Sequence, residues 1–309
     1  MEKRLLIAID GTDASRRVIR YASQMAGMIR DLRSVLIHVQ HCDPKFIEDA
    51  AHQDALALED LDRLQATRSY ASEALLERYQ GMLQDGGILV ERVVTVSCPQ
   101  KEGVAKIILN CGHEIRSRAI VVGRRGLTAL KKKFLGSVST DLVAQTTVMP
   151  IWVVGREPTN DRILVPVDGS ESALRAVEHL CQMFTGNTDM KFQFYHVIPR
   201  MIESCPIYGG PGQDRLERAG RRGSRHCIDD FYARASSLFT AAGLDEKQMD
   251  IKIAESMLNP GKGIVAELNR GDYRTVIIGR RGRHRSFLAG SVSRYLMDRT
   301  DQITIWLVT

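Results

Sequence analysis

The sequence predicts an α/β protein built from one half used twice. Short apolar runs recur along the 309 residues with helical patterns between them, the alternation that right-handed βαβ crossovers and a parallel sheet produce. The stretch from Gly123 to Ser139, GRRGLTALKKKFLGSVS, returns from Gly279 to Ser293 as GRRGRHRSFLAGSVS. The spacing extends the repeat over the whole chain. Asp10 and Asp168 are 158 positions apart, as are His38 and His196, while Gly123 and Gly279 are 156 apart and Gly136 and Gly290 are 154 apart. The repeating unit is thus a whole domain, too long for a solenoid repeat, and the predicted domains are 1–155 and 156–309.

Taken in order, Leu5 to Ile9 is a short apolar strand ending at Asp10-Gly11-Thr12-Asp13. A helix follows, with Thr12 or Asp13 as its N-cap and Val18, Ala22, Met25 and Ala26 on its buried face. Ser34 to Val39 is the second strand, and the polar stretch from His41 to about Gln84 is helical in pattern. Ile88 to Val96 alternates with β-branched residues and reads as the third strand. Helix Gly103 to Cys111, strand Ala119 to Val122, helix Val138 to Thr147 and strand Ile151 to Val154 complete the first half. After a polar joint, Gly155 to Asp161, the series restarts. Ile163 to Val167 leads into Asp168-Gly169-Ser170-Glu171, and Ala173, Leu174, Val177 and Leu180 face inward. Phe192 to Val197 repeats the second strand. Pro199 to Gly223 carries GGPG and GRRG and reads as loop-rich. A helix from Ile228 to Ala242, strand Asp250 to Ala254, helix Gly263 to Leu268, strand Thr275 to Ile278 and strand Ile303 to Val308 follow.

Composition bounds the partners. Hydrophobic residues at 44% and charged residues at 26% are ordinary for a globular chain. No apolar run approaches the roughly 20 residues that span a bilayer. The run after the N-terminal Lys-Arg is too short for an export signal, so the expected location is cytoplasmic. The six cysteines form no CxxC pair, which points to reduced, structural thiols and away from zinc. A net charge of +6, shared between the halves, does not argue for nucleic acid.

The chemistry falls at strand ends. In an open parallel sheet, ligands bind beyond the carboxyl ends of the strands; Asp10, Val39 and Gly123 all fall there. Glycines let a backbone approach a phosphate, and the helix start at Gly136-Ser137-Val138-Ser139 offers unpaired N–H groups and a positive dipole end. Asp10 can hydrogen-bond a ribose or help hold a metal, and the backbone at Val39 can read an adenine edge. Arg124, Arg125, Lys131, Lys132 and Lys133 can neutralise phosphate, as can Arg280, Arg281, Arg283 and Arg285; a solvated basic loop is the other reading. Likewise the glycines can serve tight packing and Asp10 a helix cap. His38 and His196, inside apolar strands, read as packed and hydrogen-bonded, and Trp152 and Trp306 as core or interface. No GxGxxG follows the first strand, there is no Walker A sequence, and no nucleophile and base constellation is found.

These residues resemble the universal stress protein family, in its ATP-binding subgroup, over both halves. The family's phosphate motif is two glycines separated by two residues, nine further residues, and Gly-Ser or Gly-Thr. Gly123, Gly126, Gly136 and Ser137 meet it, with Leu127 to Leu135 as the nine. Gly279, Gly282, Gly290 and Ser291 keep the anchors with seven residues, Arg283 to Ala289, between them. The resemblance implies two Rossmann-like domains of the adenine nucleotide alpha hydrolase-like kind. Each would have a five-stranded parallel sheet of order 3-2-1-4-5, and the two would be packed as a pseudo-dimer through their last strands. It implies ATP, with Mg, as ligand. Asp10, Gly11, Val39, Gly123, Arg124, Gly126, Gly136, Ser137, Val138 and Ser139 would hold it in the first domain. Asp168, Gly169, Val197, Gly279, Arg280, Gly282, Gly290, Ser291, Val292 and Ser293 would hold it in the second. The expected partners are an adenine nucleotide, a regulatory protein and a second copy of the tandem chain. The implied role is an ATP-dependent stress-response or regulatory protein. The alternatives are a scaffold with a vestigial site and a slow ATPase.

Overall fold

In a computed structural model, residues 2–124, 137–155, 161–199, 213–256, 260–280 and 291–309 are described. The chain forms two compact units that divide between Val154 and Gly155. In the first, strands β1 (Lys3–Ala8), β2 (Leu32–Gln40), β3 (Val93–Pro99), β4 (Ala119–Gly123) and β5 (Ile151–Val154) alternate with helices α1 (Asp13–Met28), α2 (Lys45–Ala51), α3 (Ala55–Asp85), α4 (Val104–Glu114) and α5 (Ser137–Gln145). The strands lie in the order β3-β2-β1-β4-β5, every pair parallel. The second unit repeats this with β6 (Ile163–Val167), β7 (Phe192–Pro199), β8 (Met249–Ser256), β9 (Thr275–Gly279) and β10 (Thr304–Val308), and with α6 (Glu171–Phe184), α7 (Gln213–Ala241), α8 (Pro260–Arg270) and α9 (Ser291–Arg299). Its order is β8-β7-β6-β9-β10, the same 3-2-1-4-5 arrangement.

The central strands have no solvent face, which is why they read as continuous apolar runs. Leu5, Leu6, Ile7 and Ala119 to Val121 are fully buried, as are Leu164, Val276 and Ile277. Both tryptophans are fully buried. Tyr21 meets Trp152 edge-on at 6.3 Å; Phe184 stacks on Trp306 at 6.1 Å, and His179 meets it edge-on at 5.8 Å. Such ring pairs add about 0.5–1.5 kcal/mol beyond the area they bury. The α1 face is amphipathic as expected, with Val18, Ala22 and Met25 buried and Ala26 half-buried.

Two expectations are corrected. The third strand begins at Val93, not Ile88, because Ile88 closes the preceding helix. Its N–H bonds back to the Leu83 carbonyl at 3.0 Å, while Gly87 takes the left-handed conformation at φ 91°. This is a helix stop with a buried apolar residue just beyond the glycine; Val90–Arg92 then form a single 3-10 turn. In the second unit the expected loop from Pro199 to Gly223 is helical from Gln213 onward. Gly220 and Gly223 each cost a helix about 1 kcal/mol relative to alanine, but Leu216, Glu217, Arg218 and Ala219 are strong helix formers. Residues 200–212 lie outside the described residues. No described helix is long and apolar enough to cross a membrane, and the five described cysteines are all free.

Candidate functional site at the carboxyl edge

The strand register brings the distant candidates together. Ala8 pairs with Ile37 and Ile7 with Val121, so continuing two residues along each strand carries Asp10, Val39 and Gly123 to one edge. In the second unit Val167 pairs with His196 and Leu164 with Val276, which carries Asp168, Val197 and Gly279 to the matching edge. Gly11 and Gly169 turn the chain there at φ 78° and 73°, a conformation that glycine adopts without strain.

Asp10 is held by its own turn. Its Oδ1 accepts from Thr12 N at 3.1 Å, Thr12 Oγ1 at 2.6 Å and Ser15 Oγ at 2.8 Å. Its backbone N–H donates to Ser15 Oγ at 2.9 Å. Three donors on one oxygen fix the carboxylate in place, a preorganisation suited to a hydroxyl-bearing ligand. Asp168 has a lighter turn, in which Oδ1 accepts from Ser170 N at 3.0 Å. Thr12 was expected only as a helix cap and Ser170 only as part of its turn, and Ser15 was not among the expected residues. The signal for them was an Asp followed within five residues by hydroxyls, the pattern of Asx turns and caps.

Gly123 and Gly279 share a steric role. A Cβ on Gly123 would sit 2.7 Å from Ala14 Cβ and 3.1 Å from the Ala14 carbonyl. One on Gly279 would run into the carbonyl of Ser172, the equivalent residue of α6. Each glycine therefore lets the first helix of its unit lie directly against the end of the fourth strand. Ser139 Oγ donates to the Gly123 carbonyl at 3.0 Å, and Ser293 Oγ to the Gly279 carbonyl at 3.3 Å. These two hydroxyls, assigned by the sequence to a ligand, tie strand to helix. Ser137 is exposed and Val138 half-exposed, at the start of α5 where backbone N–H groups lack helical acceptors. Val292 holds the matching place in α9, as does the backbone of Ser291. Arg124 and Arg280 are buried at 5% and 4% exposure, so neither belongs to a solvated loop. Their backbone N–H groups continue the sheet, Arg124 to the Val154 carbonyl at 3.1 Å and Arg280 to the Val308 carbonyl at 2.6 Å. Gly126, Gly136, Gly282 and Gly290 lie outside the described residues, as do Arg125, Lys131, Lys132, Lys133, Arg281, Arg283 and Arg285.

A polar chain borders the first site. Gln40 Nε2 donates to Ser97 Oγ at 2.6 Å, Ser97 Oγ and Ser72 Oγ are 2.7 Å apart, and Ser72 Oγ lies 2.7 Å from His38 Nδ1. Burial holds the His38 imidazole below its ordinary value, and the Asp10 carboxylate pulls it the other way. In the second unit His196 Nδ1 instead meets the Val167 carbonyl at 2.8 Å. The packed, hydrogen-bonded role expected for both histidines is what the structure has. Among the described residues no three His, Cys, Asp or Glu side chains cluster as a metal site.

The model of the universal stress protein family matches residues 1–155 and 159–304. Among solved structures, a universal stress protein from Archaeoglobus fulgidus is 18% identical, with a TM-score of 0.64 over 99% of this chain and 98% of that one. A functionally unknown protein from Pseudomonas aeruginosa PAO1 is 13% identical, with a TM-score of 0.60 over 99% of this chain and 92% of that one. A second universal stress protein of Archaeoglobus fulgidus, solved in complex with dAMP, is 17% identical, with a TM-score of 0.32 over 48% of this chain and 94% of that one. At these identities the likeness is one of fold. No curated protein matches the sequence significantly.

Proposed function

Since the chain belongs to the universal stress protein family, we propose that it is an adenine-nucleotide-binding stress-response protein with ATP and Mg as its ligand. In this reading residues 1–155 and 156–309 are its two domains, and occupancy shifts affinity for a regulatory partner. The observation that carries it is the convergence of Asp10, Val39, Gly123 and the start of α5 at one sheet edge. The carboxylate fits a ribose hydroxyl. The backbone at Val39, past the end of β1, fits a base edge. The first N–H groups of α5 and its dipole fit phosphate oxygens. Mg would arrive on the phosphates, which supply its oxygen ligands with water. Asp168, Val197, Gly279 and α9 offer the second domain a similar set.

The test is calorimetric titration of the chain with Mg-ATP. Asp10→Ala removes a charge-assisted hydrogen bond, for which about 1.5–3 kcal/mol is typical, and so weakens the first site by about 10- to 150-fold. Equal binding by wild type and Asp10→Ala refutes the assignment. The second reading, a scaffold without nucleotide, is favoured by one observation. The Ala14 and Ser172 contacts account for Gly123 and Gly279 with no ligand. It predicts neither binding heat nor a thermal shift with ATP.

A further inference from the structure

The two histidines that match across the repeat differ in the partners of Nδ1, a serine hydroxyl for His38 and a backbone carbonyl for His196. In the first unit the polar chain has a forced direction at one end. Gln40 Nε2 can only donate, so Ser97 Oγ receives a proton from it. The cooperative arrangement then runs on, with Ser97 donating to Ser72 and Ser72 donating to His38 Nδ1. In this direction Nδ1 is the acceptor, which leaves the hydrogen of the neutral His38 ring on Nε2. In the second unit the partner of Nδ1 is the Val167 carbonyl, which can only accept. His196 therefore carries its hydrogen on Nδ1 and has a lone pair on Nε2. That atom is buried and has no hydrogen-bond partner among the described residues.

Substitution at each matched position explains the divergence. The helix stops align Leu83 with Phe239, through Ile88 N to Leu83 O and Leu244 N to Phe239 O, which puts Ile228 in the place of Ser72. The strand registers align Val93 with Met249, which puts Ile253 in the place of Ser97, and Gln40 is matched by Ile198. Three polar side chains of the first unit are matched by three isoleucines in the second. Tyr232 OH, one turn beyond Ile228 on α7, is a further buried polar atom without a partner among the described residues.

We propose that His38 and His196 are locked in opposite tautomers and give the two units different ligand preferences, with a ring N–H donor beside Asp10 and a ring acceptor beside Asp168. The ligand half of this rests on the carboxyl edges being nucleotide sites. A neutral acceptor repels phosphate oxygens, so His196 Nε2 reads the nucleoside part, through an exocyclic amine or a ribose hydroxyl. His38 Nε2–H reads an acceptor, a ring nitrogen or an oxygen.

Long-range proton–nitrogen spectra of the histidine side chains, recorded above neutral pH on the full chain, separate the tautomers without any ligand. His38→Phe and His196→Phe supply the assignments. The expected result is a proton on Nε2 of His38 and on Nδ1 of His196, and Ser72→Ala converts His38 alone to a mixture. The same tautomer in both rings, or no response to Ser72→Ala, overturns the proposal. Titrations with ATP, dATP and inosine triphosphate then test the preference in an Asp10→Ala background. His196→Phe is expected to weaken ATP binding at the second unit about tenfold. A matching loss with dATP identifies the 2′-hydroxyl as donor, and one with inosine triphosphate identifies the amine. ATP binding unchanged by His196→Phe means that Nε2 holds only an internal water and overturns the ligand half. Opposite tautomers with no ATP binding by the wild-type chain refute the nucleotide reading, and the ligand half with it, while the tautomer assignment stands.

Discussion

Replacing Gly123 by alanine tests the framework of the proposed site directly. The new methyl would sit 2.7 Å from Ala14 Cβ and 3.1 Å from the Ala14 carbonyl carbon and oxygen. Unstrained carbon contacts lie near 3.5–4.0 Å, so α1 and β4 must separate by about 1 Å where buried Ala14 meets the half-buried end of the strand. Overpacking of this kind costs about 1–3 kcal/mol. For a domain of this size each kcal/mol moves Tm by about 2–4 °C, so Gly123→Ala is expected to lower the melting temperature of its unit by about 2–12 °C. Gly279→Ala, whose methyl meets a backbone oxygen, falls at the upper end. Gly81→Ala is the control: that glycine lies inside α3 with nothing within 4 Å of a Cβ, and alanine there stabilises by about 0.5–1 kcal/mol. Scanning calorimetry of the three variants decides the matter. If Gly123→Ala melts with or above wild type, the close approach of α1 to β4 is not what the glycine is for.

Other consequences can be checked with the same material. His38 has a folded pKa below its ordinary 6.5. As pH falls through 6.5 the unfolded chain takes the proton first, so the stability present above that pH is lost toward the lower folded value. The Tm of wild type should therefore fall more between pH 7.5 and 5.5 than that of His38→Gln, and equal slopes would count against it. Glu267 is 5% exposed and holds Lys252 Nζ at 2.9 Å and Arg270 at 2.6 Å. Glu267→Ala is expected to cost about 1–3 kcal/mol in urea unfolding, because it leaves Lys252 unpaired in partly buried surroundings; a loss below about 0.5 kcal/mol would refute this. Burial pushes the Cys111 thiol up to about 11 and the Cys181 thiol up to about 12. Both should resist alkylation at pH 7.5 until the chain unfolds, and rapid labelling of either in the native protein would contradict its burial.

The sheet was legible because its signal is local and strong. Ile151 to Val154 and Thr275 to Ile278 are apolar, β-branched and bounded by turn residues, and they form strands where expected. The Ile88 boundary was not legible, since an isoleucine that closes a helix and one that opens a strand look alike until the Leu83 hydrogen bond is seen. The helical start at Gln213 was masked by two glycines that local propensity treats as breaks. At the site, the repeat pointed to Asp10, Val39 and Gly123 without any geometry. The partners of Asp10 and the Ser72-Ser97 chain were invisible, because they depend on which side chains three separate elements turn toward one another.

Ser139 commits its proton to the Gly123 carbonyl and Ser293 commits its own to the Gly279 carbonyl, with no ligand present. After the duplication each copy had to retain this serine and glycine to keep its fourth strand and the following helix in register. The pair is therefore a mark of shared ancestry before it is a mark of activity. A half that had stopped taking a ligand would still carry it, so counting motifs in tandem chains of this kind overestimates the number of working sites. The residues free to record a change of role are those around the histidine, where Ser72 and Ser97 face Ile228 and Ile253 across the repeat.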